Sequence, residues 1–247
     1  MLTRAELKQR AKDSMSTATT HPVLVGLVFF VIAMAISGIM SVFNNLLGTI
    51  LGIGTNIIDS TAITLGAILS FTCISFALSI VSSFITYALS AGFTSYCLKT
   101  IRREEAGLET LFSYMKSFLK VFCLYFMIGL LTFLWSLLFV IPGIIAAYRY
   151  SMAVYIYIDD PNKGVMQCIS ESKEMMVGHK WELFVLQISF ILWFLLGCVT
   201  CGLAFLYVTP YLELTTAVYY DNLKYITMQQ NYQEVPNSFG NPSATNM

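Results

Sequence analysis

The chain has 247 residues, of which 57% are hydrophobic and 11% charged, and its 14 basic and 14 acidic side chains cancel. A soluble domain carries roughly 25% charged residues, so this composition excludes a soluble globule, and it also excludes intrinsic disorder and a collagen-like fibre. Balanced charge gives no reason to expect a nucleic-acid partner, which leaves an all-α integral membrane protein.

Thr3-Arg4-Ala5-Glu6 is a capping-box pattern that opens a short helix through Asp13. Charge then almost vanishes. Between Asp13 and Lys99 the only charged residue is Asp59, and Val121 to Tyr148 and Leu183 to Leu212 have none. A crossing needs about 20 helical residues. Cutting these runs at Gly, Pro and charge predicts six spans, at about 23–43, 62–96, 121–141, 143–158, 183–200 and 203–220. Together they form one membrane domain over 1–228, followed by a disordered cytoplasmic tail over 229–247. The second stretch exceeds one perpendicular crossing, so it tilts, projects beyond the bilayer or begins as an interfacial piece. Val23 to Ile32 followed by Ala33-Met34-Ala35 has the form of a signal peptide, but the apolar run continues past Ala35, which favours a retained helix.

Basic residues cluster before the first span (Arg4, Lys8, Arg10, Lys12), between the second and third (Lys99, Arg102, Arg103, Lys116, Lys120), between the fourth and fifth (Lys163, Lys173, Lys180) and after the sixth (Lys224). The connection Asn44 to Thr61, the Pro142 turn and the Cys198 to Gly202 turn have none. Positive charge marks the inner side of a membrane, so both termini are expected in the cytoplasm. The basic connections also hold amphipathic stretches. Leu108, Leu111, Phe112, Met115, Phe118 and Leu119 form one, and Val165, Met166, Ile169 and Met176, with Gly178 as a helix stop, form another. Both, like the first helix, suit helices lying at the headgroup boundary or a surface for a cytoplasmic partner. Leu134–Leu138 matches Leu192–Leu196, and Ser151–Tyr155 matches Thr215–Tyr219, with Asp159 and Asp221 following the latter pair. These matches suggest a helix-hairpin repeat.

Polar residues inside apolar runs are the candidate sites. Arg149 in the fourth span and Glu213 in the sixth lie about 9 Å and about 16 Å from the outer turns at ~1.5 Å per residue. A long arginine could bridge that difference, giving either a buried structural pair or a polar site on a transport route. Ser75, Ser79, Ser82, Ser83, Thr86 and Ser90 recur on one helical face of the second span, a pattern that favours close helix packing over a watery path. Asp159-Asp160-Pro161 reads as a polar helix end, and Gly178-His179-Lys180-Trp181 as an inner membrane boundary with Trp181 at headgroup level. Asp59 stands at the outer end of the second span, near Gly48, Gly52 and Gly54. Cys198-Val199-Thr200-Cys201 lacks the context of a redox motif, and a metal site would need further ligands. Metalloprotease, nucleophile-elbow and phosphate-loop motifs are not found, so neither catalytic chemistry nor a cofactor or metal is expected.

Ile141-Pro142-Gly143-Ile144-Ile145 followed by Tyr148-Arg149-Tyr150-Ser151-Met152-Ala153 resembles the central motif of a bacterial membrane family, the domain of unknown function 975. Ser172, Met175-Met176, Gly178-His179-Lys180, Ser189-Phe190, Trp193, Pro210-Tyr211 and Tyr219 fit its second half, and Arg4, Leu7-Lys8 and Ala11 its start. The resemblance implies a multi-pass protein of the bacterial cytoplasmic membrane and transfers no activity. A looser similarity to the membrane segments fused to some glycerophosphodiesterases is compatible with a lipid-related role. Three functions stay open: a non-enzymatic module supporting or regulating another membrane system, a small oligomeric transporter or channel using Arg149 and Glu213, and a lipid-handling protein. The expected partners are membrane lipids and another membrane protein or a second copy.

Overall fold

The computed structural model describes residues 3–18, 20–50, 61–200, 202 and 204–234, and these residues are mostly helical, with no strand among them. Asp59, Cys201 and the tail from Val235 onward lie outside the described residues. The first helix, α1 (Arg4–Thr17), begins as the capping box requires. The Glu6 amide donates to Thr3 Oγ1 at 3.4 Å and the Thr3 amide donates to Glu6 Oε2 at 2.7 Å. It runs a full turn past Asp13, and Leu7, Ala11 and Met15, four residues apart, form its buried stripe. Tyr211 donates to the Lys8 carbonyl at 3.4 Å, and the Lys8 ammonium sits 4.6 Å from the centroid of the Phe190 ring. This helix is thus packed into the core instead of lying alone on a lipid surface.

Two long helices follow, α2 (Pro22–Ile50) and α3 (Thr61–Ile101). The 41 residues of α3 extend about 60 Å, so it overshoots a hydrocarbon layer of about 30 Å. It stops where Arg103 takes a left-handed φ of 59° and the Glu104 amide reaches back to the Lys99 carbonyl at 3.0 Å. The chain then presses onto α3 as α4 (Glu109–Phe112) and a 3-10 turn (Ser113–Ser117), in place of one amphipathic helix. A Cβ on Gly92 would stand 2.0 Å from the Leu111 carbonyl oxygen, so only glycine allows this approach.

The remaining helices are α5 (Phe118–Leu138), α6 (Val140–Tyr150), α7 (Ala153–Asp159), α8 (Val165–Met175), α9 (Lys180–Ile188), α10 (Ile191–Val199) and α11 (Phe205–Glu234). The expected Pro142 turn falls instead at Phe139, which is extended (φ −159°, ψ 149°). Pro142 sits in the first turn of α6, where its missing N–H leaves no partner unsatisfied. Gly178 (φ 82°) closes the turn after α8, and Gly202 (φ 93°) closes the turn after α10.

Four helical segments are long and apolar enough to cross a membrane: Pro22–Ile50, Gly66–Ile101, Glu109–Leu138 and Lys180–Val199. The expected span 143–158 is not one helix. It breaks at Ser151-Met152 into α6 and α7, where the Ser151 amide and hydroxyl both turn back to the Tyr148 carbonyl. The span 183–200 bends similarly at Ser189-Phe190 between α9 and α10. Helix α11 is 30 residues long and continues past the expected boundary at Gln229, but Glu213, Asp221 and Lys224 make it more polar than the four. The matched pentapeptides also part company, since Ser151-Met152 is a break and Thr215-Thr216 is mid-helix.

Burial is uneven along the bundle. The packed core joins α1, the second half of α3, the start of α5, α6 to α9 and the middle of α11, with Tyr96, Tyr157, Tyr219 and Tyr220 among its largest members. The far halves of α2, α3 and α5, and α10, present bare apolar side chains such as Ile39, Phe76, Leu137 and Val199. A continuous apolar surface of this kind is unstable against water and suits lipid or other membrane helices.

Candidate functional site at the charged end of the bundle

Arg102 follows the last residue of α3 and gathers two other elements around itself. Its Nη1 and Nη2 donate to Asp159 Oδ1 and Oδ2 at 2.7 and 3.2 Å, the fork geometry that guanidinium and carboxylate favour. Its Nε and Nη2 also donate to Asp221 Oδ1 at 3.1 and 2.9 Å. Asp159, at the end of α7, accepts further bonds from Tyr220 Oη at 2.8 Å and from Lys224 Nζ. On α11, Lys224 lies one turn beyond both Tyr220 and Asp221. Two cations, two carboxylates and a phenol therefore clasp the ends of α3 and α7 to α11. The Asp159 side chain is only 11% exposed. Burial alone would raise its pKa, but the bonds from Arg102, Lys224 and Tyr220 outweigh burial and hold it below the usual aspartate range. Burial likewise works against the Arg102 charge, and the two aspartates more than restore it.

Among the clefts that flank the clasp, two are rich in charged residues. One, of about 480 Å³, opens between α7, α8 and α11 and is lined by Asp159, Asp160, Lys163, Glu171, Glu174 and Lys224. Lys163 is paired there with Glu171 at 2.6 Å. The other, of about 330 Å³, lies between α1, the end of α3 and α11, lined by Arg10, Asp13, Arg103 and Asp221.

Asp159 is the centre of the clasp, and Asp160 beside it accepts the Asn162 amide at 3.1 Å. His179 Nδ1 lies 3.3 Å from Glu182 Oε2, its carbonyl accepts from Tyr219 Oη at 2.9 Å, and Trp181 is 69% exposed. Arg149 and Glu213, whose pairing the sequence left open, are not in an ion pair with each other. Glu213 Oε2 accepts instead from Tyr155 Oη at 3.3 Å, whereas Arg149 is half-buried and its carbonyl accepts from Ser172 Oγ at 2.9 Å.

The hydroxyl face of α3 divides. Ser75 donates to Asn44 Oδ1 at 2.7 Å and Ser90 lies 3.3 Å from Tyr125 Oη, both across helices. Ser79, Ser83 and Thr86 bond back to their own helix, and Ser79 is exposed, so it makes no tight packing contact within the chain. Arg102, Tyr220 and Lys224 had no signal beyond charge placement, while Asp159 and Asp221 were marked by following the matched segments.

Residues 1–145 and 137–227 match the family described as protein of unknown function, DUF975. The chain belongs to this family. No curated protein and no solved structure matches the DUF975 chain. The clasp residues Arg102, Asp159, Asp221 and Lys224 all fall within the matched segments. DUF975 membership agrees with the central motif, whose Gly143 lets α6 close onto α5: a Cβ there would stand 2.0 Å from Ser136 Oγ.

Proposed function

We propose that this DUF975 protein is a multi-pass, non-enzymatic module of the bacterial cytoplasmic membrane, with its charged end and both termini in the cytoplasm, that supports or regulates another membrane system. The observation that carries the reading is how little the long helices bury in one another. In the most apolar stretch of α3 none of the residues is buried, and in those of α2 and α5 only 11% are. Their free flanks offer lateral surface to other helices, while the clasp keeps the charged end rigid. Positive charge on that end supports the orientation. A photo-crosslinking residue at Leu69 or Phe76, both strongly exposed on α3, tests the reading in membranes. A discrete protein adduct at these positions supports it, and adducts with lipid alone contradict it. A lipid-handling role is the second reading, favoured by the Arg10 and Arg103 cleft.

A further inference from the structure

The cleft between α1, the end of α3 and α11 brings two pairs of opposite charges together. Arg10 and Arg103 line it with Asp13, Asp221, Ser14 and Thr17. Among the described residues neither arginine is in an ion pair, in contrast to Arg102 next door. Asp221 gives only Oδ1 to Arg102, and its Oδ2 has no hydrogen bond among the described residues. Arg103 occupies a left-handed position (φ 59°) where a helix ordinarily ends on glycine. A non-glycine residue held in such a conformation is a pointer to function.

The cleft is joined to the apolar helix α2 by a short link. Thr17 on its rim ends α1, Tyr96 Oη fixes the Thr20 carbonyl in the following link, and α2 starts at Pro22 with Leu24 and Leu27 exposed. We infer that this cleft binds the headgroup of a zwitterionic phospholipid bearing a primary amine, an ethanolamine phosphate. Arg10 and Arg103 take the phosphate, which suits guanidinium donors. Asp13 and Asp221 Oδ2 take the ammonium. The acyl chains run along the apolar flank of α2. A purely anionic headgroup leaves both carboxylates facing it, and a choline headgroup has no N–H to give them.

This inference rests on the proposed placement of the charged end at the membrane surface, yet it fails separately, because headgroup titration and topology are read by different measurements. The full-length protein in detergent is titrated calorimetrically with dihexanoyl phosphatidylethanolamine, dihexanoyl phosphatidylglycerol and inorganic phosphate. The ethanolamine lipid binds at least tenfold more tightly than either of the others. Arg103→Gly retains the fold, because glycine accepts the backbone conformation without strain, and weakens the ethanolamine lipid at least tenfold. Asp13→Asn, at an exposed position, removes the preference for ethanolamine over glycerol. Equal binding of the two lipids, inorganic phosphate binding as tightly as lipid, or an Arg103→Gly protein that binds like the parent would each overturn the assignment.

Discussion

Removing the Asp159 carboxylate should cost more than removing any other member of the clasp. Asp159→Asn leaves Arg102 and Lys224 facing a neutral amide, yet Arg102 keeps its two bonds to Asp221. Two of the four bonds lost or weakened are to Arg102, one to Lys224 and one to Tyr220. Breaking a fully buried pair costs about 3–5 kcal/mol. The side chains of Arg102 and Lys224 are 27% and 31% exposed, so water recovers part of that, and about 2–3 kcal/mol is expected, near the value for hydrogen bonds to charged groups. Arg102→Leu should cost about 1–3 kcal/mol on the same reasoning, since Asp159 retains Lys224 and Tyr220. Asp221→Asn should cost under about 1 kcal/mol, because its side chain is 46% exposed. Arg102→Lys should restore only part of the loss, as an ammonium cannot serve two carboxylates in fork geometry. Thermal unfolding in detergent gives the ranking. An Asp221→Asn protein as destabilised as Asp159→Asn, or an Arg102→Leu protein that melts with the parent, would refute the clasp.

The clasp also sets a pH dependence. The Asp159 pKa is depressed in the folded state, so its contribution is present above the ordinary aspartate range and lost as pH falls below about 4; melting temperature should drop there, and Asp159→Asn should flatten the drop. Gly92→Ala drives a Cβ into the Leu111 backbone and should destabilise by roughly 1–3 kcal/mol. Gly38→Ala, with open space around it, should instead be neutral or stabilising by up to about 1 kcal/mol. Ser79→Leu should change stability by less than about 0.5 kcal/mol because the side chain is exposed; a markedly lower melting temperature in detergent would show that Ser79 packs against something the fold does not reveal.

The long apolar helices were legible because length and hydropathy are local properties of the chain. Charge absent between Asp13 and Lys99 apart from Asp59 marks α2 and α3 before any geometry is known. The breaks at Ser151 and Ser189 were not legible, because serine is tolerated within helices, and the hydroxyl back-bond that Ser151 makes to the Tyr148 carbonyl has counterparts at Ser79 and Ser83 inside the unbroken α3. The clasp was hidden for a different reason. Arg102 meets partners 57 and 119 residues away, and periodicity carries no information about pairing at such separations. Arg149 and Glu213 drew attention as charges within apolar runs, but a depth counted along each helix does not say which way a side chain points, and Glu213 faces Tyr155. The docking of α1 was half legible: the Thr3–Glu6 capping box marked the helix, while its buried Leu7, Ala11 and Met15 stripe and the partner surface on α11 and α3 depended on the tertiary fold.

The proposed orientation places the packed, charged end in the cytoplasm and the bare apolar helices across the membrane. Single cysteines at Ser113 and at Thr200, in chains whose own cysteines are replaced by alanine, test this with a membrane-impermeant maleimide on whole cells. Position 200 should label in intact cells, and position 113 only after permeabilisation. Labelling at position 113 in intact cells would contradict that orientation.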